Sequence, residues 1–274
     1  MGTIADFKRE LWAGRLEANL KKNLVFSNVV NTNYQGTVAY GESVRILGIT
    51  QPTIDDYSGT LDAAESVAGD FLKMTIDQAK YFHFYADDVL MRQANGGNLG
   101  VVDECMNEAS YGIADAVDQY IAGLVVGATN KIGTTTVPIE IDADNAYDYL
   151  IDVETALKES NANGERFVVV PHFYTAALNK QIFVKDPAIA LPGYLGNVGT
   201  LKIYESNNVF VDTNDSYNVM AGVRQAVTFA GQIDEMEMYR PELRFANAVK
   251  GLYTFGAKVT KPAGLVNLFC VKAS

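Results

Sequence analysis

The side chains most often used as nucleophiles, bases or metal ligands are scarce in this sequence, which has two histidines and two cysteines. His83 lies in an aromatic strand pattern and is predicted to be packed, and His172 follows Pro171 at a predicted helix start. Neither histidine stands in a motif with a Cys, a Ser or a second His. Cys105 falls in a helical pattern and Cys270 in a strand-like run, as small core residues do. Without a CxxC pair or a Cys/His cluster, the sequence predicts no metal site and no redox pair, and we expect no cofactor.

Two short segments carry part of a ligand-binding pattern. NGGNLG, at 95–100, follows a predicted strand and opens a helix as a phosphate loop does, but it lacks the GK[ST] ending and the GxGxxG spacing. In EIDADN, at 140–145, Asp142 and Asp144 have calcium-loop spacing. Later positions hold alanine, tyrosine and valine where that loop requires an acid or amide, a glycine and a glutamate. We therefore predict a flexible helix entry at the first segment and a helix cap by Asp144 or Asn145 at the second.

The elements that must position these residues are unusually long. A helix of about 42 Å is predicted from Leu99 to Val126, where apolar residues keep a three-then-four spacing at 99, 102, 106, 109, 113, 116, 120 and 124. From Glu242 to Val259 apolar residues alternate with polar or small ones, which predicts one strand of about 55 Å. A further strand, AKYFHFYADDVLMRQ at 79–93, is aromatic on both faces, so we expect it to be covered on both sides.

The rest of the chain divides into two projecting segments and a compact lobe. Residues 1–35 contain an amphipathic helix and carry more basic than acidic residues. Residues 36–78 read as an extended hairpin with a turn-rich middle, and six acids against one base give 36–72 a net charge of −5. Residues 145–232 alternate short strands with helices, including a predicted helix at 146–159 and a predicted strand pair in TLKIYESNNVFVD, and form an α/β lobe.

Such a chain leaves strand edges and apolar faces exposed. The simplest explanation is that other copies of the same chain bury them. The net charge of −11 argues against a nucleic-acid binder with a dominant basic face and against attachment to an anionic membrane. No apolar run is long enough to span a bilayer, and no secretory signal pattern is present, so we expect a cytosolic protein or one assembled there.

Four stretches resemble one protein family. LKKNLVFSNVVNTNYQG, IDQAKYFHFYADDV, ADAVDQYIAGL and YRPELRFANAVKGLYTFGAKVTKPAGLVNL are similar, in order and spacing, to major capsid proteins of tailed bacteriophages. The resemblance covers nearly the whole chain and points to the Salmonella-phage-type coat protein branch. It implies an α+β fold, the Hong Kong phage coat fold, with an N-arm, an extended β-hairpin loop, a peripheral domain and an axial α/β domain.

The resemblance also implies how the chain is divided and what it does. Its regions would be the N-arm at 1–35, the extended loop at 36–78, the peripheral domain with its spine helix at 79–144, the axial domain at 145–232, and the peripheral long strand and C-terminal strand at 233–274. LVNLFCV would complete the sheet of the long strand. The implied function is a structural coat protein, not an enzyme, that self-assembles into the hexamers and pentamers of an icosahedral shell around double-stranded DNA. Implied partners are a separate scaffolding protein and a portal, with no membrane; the protein would reside in the virion after assembly in the bacterial cytoplasm.

The hairpin is acidic, whereas the arm and the long strand carry basic residues, and this distribution suggests one specific contact between copies. The acidic hairpin of one subunit would lie over basic residues of a neighbour, on the long strand or on the arm. The candidates are Asp55, Asp56 and Asp62 on the hairpin, Arg240, Arg244, Lys250 and Lys258 on the strand, and Lys21 and Lys22 on the arm. A solvated acidic loop remains the alternative for the hairpin. For the whole chain, an encapsulin-type nanocompartment shell and a cytosolic α/β enzyme with its site in 145–232 remain alternatives.

Overall fold

The computed structural model describes residues 25–33, 43–49, 69–87, 98–180, 194–242 and 246–273. The helices are α1 (Phe26–Val29), α2 (Asn98–Gly123), α3 (Ala146–Glu159) and α4 (His172–Lys180). The strands are β1 (Ser43–Ile49), β2 (Gly69–Thr75), β3 (Gln78–Asp87), β4 (Asn130–Ile132), β5 (Ile139–Ile141), β6 (Arg166–Val170), β7 (Tyr194–Val198), β8 (Leu201–Glu205), β9 (Phe210–Val211), β10 (Tyr217–Val223), β11 (Val227–Tyr239), β12 (Ala246–Val259) and β13 (Leu265–Lys272).

The largest sheet has eight strands and carries the lobe. Its path is β4-β13-β10-β6-β8-β7, while β5 also pairs with β13 and β9 with β10. The RFVVV run of β6 is buried at four of its five positions, which is typical of a strand covered on both faces. The predicted helices at 146–159 and after Pro171 are confirmed. The predicted pair in TLKIYESNNVFVD is wrong, because β8 pairs with β6 and β7 whereas β9 pairs with β10.

The long strands form a separate three-stranded sheet in the order β11-β12-β3. β12 has 14 residues, about 46 Å at ~3.3 Å each. The prediction that this strand begins at Glu242 is wrong. Pro241 and Glu242 belong to the reversal after β11, where a proline cannot donate to a ladder. The alternation in the sequence therefore extends beyond the residues that pair.

The C-terminal strand lies in a different sheet from the one predicted. We expected LVNLFCV to complete the sheet of the long strand, but β13 pairs antiparallel with β10 and parallel with β4 and β5 in the eight-stranded sheet. Six of its eight residues are buried, which a strand between two neighbours allows. The predicted boundary between 232 and 233 falls inside β11.

Helix α2 matches the predicted long helix, and a 3-10 turn over Leu124–Gly127 follows it. Its buried stripe departs from the predicted one after Ile113. The stripe continues through Val117, Ile121 and Val125, each 0% exposed, rather than through positions 116, 120 and 124. Both series keep helical spacing, so the sequence pattern alone could not choose between them.

The hairpin strands β1 and β2 pair antiparallel from Ser43↔Thr75 to Ile49↔Gly69, as the sequence predicted for the ends of an extended hairpin. Met74 packs with Val44 and with Ala230 of β11 in a small cluster of its own. β12 passes very close to the end of β2: a Cβ at Gly256 would collide with the main-chain oxygen of Thr75. Glycine is therefore required where the long strand crosses the hairpin.

Candidate assembly surfaces

A short N-terminal anchor, residues 25–31, is inserted into the core. Phe26, Val29 and Val30 are buried. The main-chain N–H of Asn31 donates to the oxygen of Val227 at 2.9 Å, and the N–H of Phe229 donates to the oxygen of Asn31 at 2.9 Å, so the anchor ends in a parallel bridge to β11. Residues 25–31 are thus fixed to the core at both their apolar side chains and their main chain.

Asp118 binds the first two main-chain N–H groups of this anchor. The residue is 3% exposed, and its carboxyl accepts the Val25 N–H at 3.4 Å and the Phe26 N–H at 3.3 Å. Burial raises the pKa of Asp118 from 3.8 to about 7, although the hydrogen bonds from the two main-chain groups lower it. The charge of Asp115 raises this pKa further, and a hydrogen bond from Asn208 lowers it. The anchor is therefore held by a carboxyl that burial favours in its protonated form.

An aromatic face lies open on the three-stranded sheet. Tyr81 is 79% exposed and Tyr85 is 48% exposed, and His83 between them is exposed too. The His83 Nε2 lies 3.1 Å from the hydroxyl of Tyr239, and the two rings are nearly parallel. We call Tyr81, His83, Tyr85 and Tyr239 the aromatic face. The expectation that β3 is covered on both sides and that His83 is packed is wrong for this chain, because β3 is an outer strand whose other face, with Phe84, packs on the core.

The predicted contact residues fall partly outside the described residues. Three of them are described: Arg240 is exposed just after β11, and two others lie on β12. Lys250 pairs with Glu237 at 2.7 Å, which raises the pKa of the lysine, and its ammonium lies 5.5 Å from the centre of the Tyr239 ring. Lys258 donates to the main-chain oxygen of Lys73 at 2.9 Å. Those outside are Lys21, Lys22, Asp55, Asp56, Asp62 and Arg244.

Glu154 of α3 fixes a turn of the lobe. Its Oε1 accepts from the N–H of Thr200 at 3.2 Å, from the hydroxyl of Thr200 at 2.7 Å and from the ammonium of Lys158 at 2.7 Å. Burial raises the pKa of Glu154, but the hydrogen bonds from Lys158 and Thr200 outweigh it and hold that pKa below its usual value. Gly199 next to it has a φ of +56°, and a Cβ there would collide with the Glu154 carboxylate. Sequence reasoning missed both Glu154 and Asp118, which look like ordinary helix-surface acids.

The groups that could do chemistry form no recognisable site in the part of the chain described here. No cluster of three His, Cys, Asp or Glu side chains suitable for a metal ion occurs there. His172 pairs with Glu205, and burial raises the pKa of the Cys270 thiol to about 12. Asn145 occupies the predicted cap position of α3, but its side chain accepts the N–H of Asp142 instead of capping the helix. None of the helices described is both long and apolar enough to cross a bilayer.

Comparison with known proteins supports the same architecture. A solved structure of Mycobacterium phage Che8 is 28% identical, with a TM-score of 0.70 over 89% of this chain and 90% of that one. The capsid structure of cyanophage P-SCSP1u is 14% identical, with a TM-score of 0.67 over 91% of this chain and 89% of that one. A virus-like particle from Pyrococcus furiosus is 16% identical, with a TM-score of 0.58 over 95% and 99%. The last two show the fold alone. No curated protein sequence matches the chain.

The family model described as phage capsid protein matches residues 72–268, more than two thirds of the chain. The matched range runs from the second hairpin strand through the lobe and both long strands to β13. The predicted α+β phage major-capsid fold is confirmed, and so is the resemblance to tailed-phage major capsid proteins. The chain belongs to the phage capsid protein family.

Proposed function

We propose that this chain is the major capsid subunit of a tailed bacteriophage and self-assembles into the hexamers and pentamers of an icosahedral shell around double-stranded DNA. The aromatic face is the observation that carries this proposal beyond family membership. Monomeric proteins rarely leave several neighbouring aromatic side chains exposed unless a partner covers them. In a shell the partner is the neighbouring copy, so the same face is buried at every equivalent contact.

The charge of the chain suits this role. A net charge of −11 disfavours tight attachment of packaged DNA to the shell wall, so we propose that DNA is enclosed without sequence-specific binding. The acidic hairpin of one copy lying on basic residues of the next remains part of the proposal. We further propose a separate scaffolding protein and a portal as partners, assembly in the host cytoplasm, and no catalytic activity, cofactor or membrane contact.

The regional assignment is likewise a proposal. We assign residues 1–35 to the N-arm, 36–78 to the extended loop, 145–232 to the axial domain, and the ranges 79–144 and 233–274 to the peripheral domain. The element order supports it, because α2 lies between the hairpin and the lobe in the chain and β12 follows the lobe. Because β13 lies in the eight-stranded sheet of the lobe and β12 in the three-stranded sheet, residues 233–274 contribute to both sheets.

Assembly of the purified chain tests the proposal. We expect rings or closed shells by negative-stain microscopy when the chain is expressed with a candidate scaffolding protein. A chain that stays a compact, heat-resistant monomer at high concentration, with and without scaffold, would contradict it. The control variant Tyr81→Lys puts a charge on the aromatic face without touching the core, and we expect it to remain folded but unassembled.

A nanocompartment shell is the second candidate, because the chain is similar over nearly its whole length to a virus-like particle from Pyrococcus furiosus. Such a shell would close without scaffold and hold a cargo enzyme inside. Closed shells from the chain expressed alone in its native host, with one enzyme copurifying in fixed proportion, would favour this candidate. Shells that need a scaffold and contain DNA would favour the capsid.

A further inference from the structure

The turn between α3 and β6 contains an asparagine followed directly by a glycine. Asn163 and Gly164 are both exposed, and we call them the turn pair. Gly164 has a φ of +139°, a conformation that residues with a side chain rarely adopt, and no atom lies within 4 Å of the position that a Cβ would take there. The sequence has one other Asn-Gly pair, at 95–96, which lies outside the described residues. The turn pair therefore exposes a side-chain amide next to a main-chain nitrogen that no side chain shields.

Hydrogen bonds fix the chain on both sides of the turn pair but not the pair itself. The oxygen of Ala162 accepts from the guanidinium of Arg166 at 3.0 Å. The oxygen of Glu165 accepts the main-chain N–H of Arg224 at 3.2 Å. Within the described residues, no hydrogen bond holds the main chain or the side chain of the turn pair. Rotation of these two residues therefore breaks no hydrogen bond.

This freedom permits a reaction within the chain. The side-chain amide of an asparagine can be attacked by the main-chain nitrogen of the next residue, because the chain itself holds the two groups close together. The Gly164 nitrogen bonds to Cγ of Asn163 and releases its proton to solvent, while the side-chain nitrogen takes up a proton and leaves as ammonia. Water then opens the cyclic imide at one of its two carbonyls, which gives aspartate or isoaspartate. Water is the only co-reactant that the sequence of steps requires.

We propose that Asn163 is a site of spontaneous deamidation, through a cyclic imide formed with the Gly164 nitrogen. The inference does not depend on the proposed shell function, because the reaction takes place within a single chain. It needs an exposed amide, a following residue without a Cβ and a main-chain nitrogen free of hydrogen bonds, and the turn pair combines all three.

Asn161 in the same turn provides an internal reference. It is exposed as well, but the residue after it is Ala162, whose Cβ hinders the attack. The N–H of Ala162 also donates to the oxygen of Leu157 at 3.0 Å, so the nitrogen that would attack Asn161 is held in place. Freeing that nitrogen costs about one hydrogen bond, so we expect Asn163 to react at least about tenfold faster than Asn161.

Deamidation would change the charge of a cleft between the hairpin and the lobe. The turn pair lines this open cleft of about 800 Å³ together with Glu165, Arg224 and Lys261. Two cations against one acid give its described charged residues a net charge of +1, and a carboxylate at position 163 brings that sum to zero. Isoaspartate also lengthens the main chain by one carbon, between neighbours that hydrogen bonds hold in place.

Mass spectrometry of the aged, folded chain tests the proposal. Trypsin cleaves after Lys158 and Arg166, and the peptide 159–166 that it releases contains Asn161 and Asn163 as its asparagines. During incubation at neutral pH this peptide should gain the mass difference between an amide and an acid, and fragmentation should place the change at residue 163. A change that occurs first at residue 161, or no change while a synthetic peptide of residues 159–166 reacts, would overturn the inference.

Two variants and the synthetic peptide separate the chemistry from folding. Asn163→Gln would have to close a larger ring, so it should lose the mass change, and its circular dichroism should match that of the wild type. Gly164→Ala should slow the reaction by about tenfold, and Asn163→Gln keeps the test valid if strain at this φ unfolds the alanine variant. The folded chain should react within about tenfold of the synthetic peptide, the factor that corresponds to ordering one residue. A slower reaction in the folded chain, or an unchanged one in Asn163→Gln, would contradict the proposal.

Discussion

Replacing Asp118 by asparagine should remove a pH dependence built into the N-terminal anchor. The pKa of this carboxyl is about 7 in the folded chain against 3.8 without burial. A folded pKa above the unfolded one means that the folded chain binds the proton more tightly. The resulting stabilisation is complete below about pH 4 and is lost as the pH rises through about 7. Asparagine keeps an acceptor for the anchor and cannot ionise.

The magnitude follows from the shift. A pKa raised from 3.8 to about 7 corresponds to about 4 kcal/mol of unfolding free energy, at ~1.4 kcal/mol per pKa unit. About half of this, roughly 2 kcal/mol, is lost between pH 5.5 and pH 8.5. Over that interval the stability of Asp118→Asn should therefore rise by about 2 kcal/mol relative to the wild type. Taking the difference cancels the contributions of titrating groups that do not interact with Asp118, such as Glu154.

Urea unfolding of dilute, disassembled chain measures this difference, because urea leaves the ionic strength unchanged. Sedimentation at each pH confirms that the protein is monomeric. Asp115→Asn is the matched control: it removes a neighbouring charge on the same helix and should keep the slope, with its midpoint moved to slightly lower pH. A difference between Asp118→Asn and the wild type that does not change with pH would refute the reasoning.

Two further pairs of substitutions, each a test and its control, examine the packing at the hairpin and the turn of the lobe. Gly256→Ala should lower the unfolding free energy by about 1–3 kcal/mol, because its Cβ would collide with the backbone of β2. Gly112→Ala, where nothing lies within 4 Å, should be neutral or stabilising by up to about 1 kcal/mol. Glu154→Ala should cost about 1–3 kcal/mol by leaving the turn donors of the lobe unpaired, whereas the exposed Glu159→Ala should stay within about 0.5 kcal/mol. Thermal and urea unfolding of each variant measure these effects, and equal losses within either pair would contradict the assigned contacts.

Local periodicity predicted the elements that are long or bounded by clear signals. Helix α3 was predicted over its observed range, because a polar turn precedes it and NANG follows it. The long helix was predicted to within a few residues. The strand β12 was predicted too long, because the alternation in the sequence includes Glu242, which lies in the turn after β11.

Pairing and burial between distant elements could not be read from the sequence. β13 has the composition of a buried strand, which suits either sheet, and only the tertiary fold decides its neighbours. The open face of β3 was missed because exposed and buried aromatic residues look alike in a sequence. Asp118 was missed because the buried stripe of the helix shifts after Ile113, which helical spacing alone does not reveal.

The position of β13 sets an order of events during synthesis. This strand is made after every other strand described, yet it lies inside the eight-stranded sheet, with β10 on one side and β4 and β5 on the other. Before the ribosome releases residue 272, β4 and β5 have no partner in that sheet and the edge of β10 is bare. The pairing of β4 and β5 with the sheet of the lobe is therefore a long-range contact that forms only once β13 has been made, the kind of contact that slows folding.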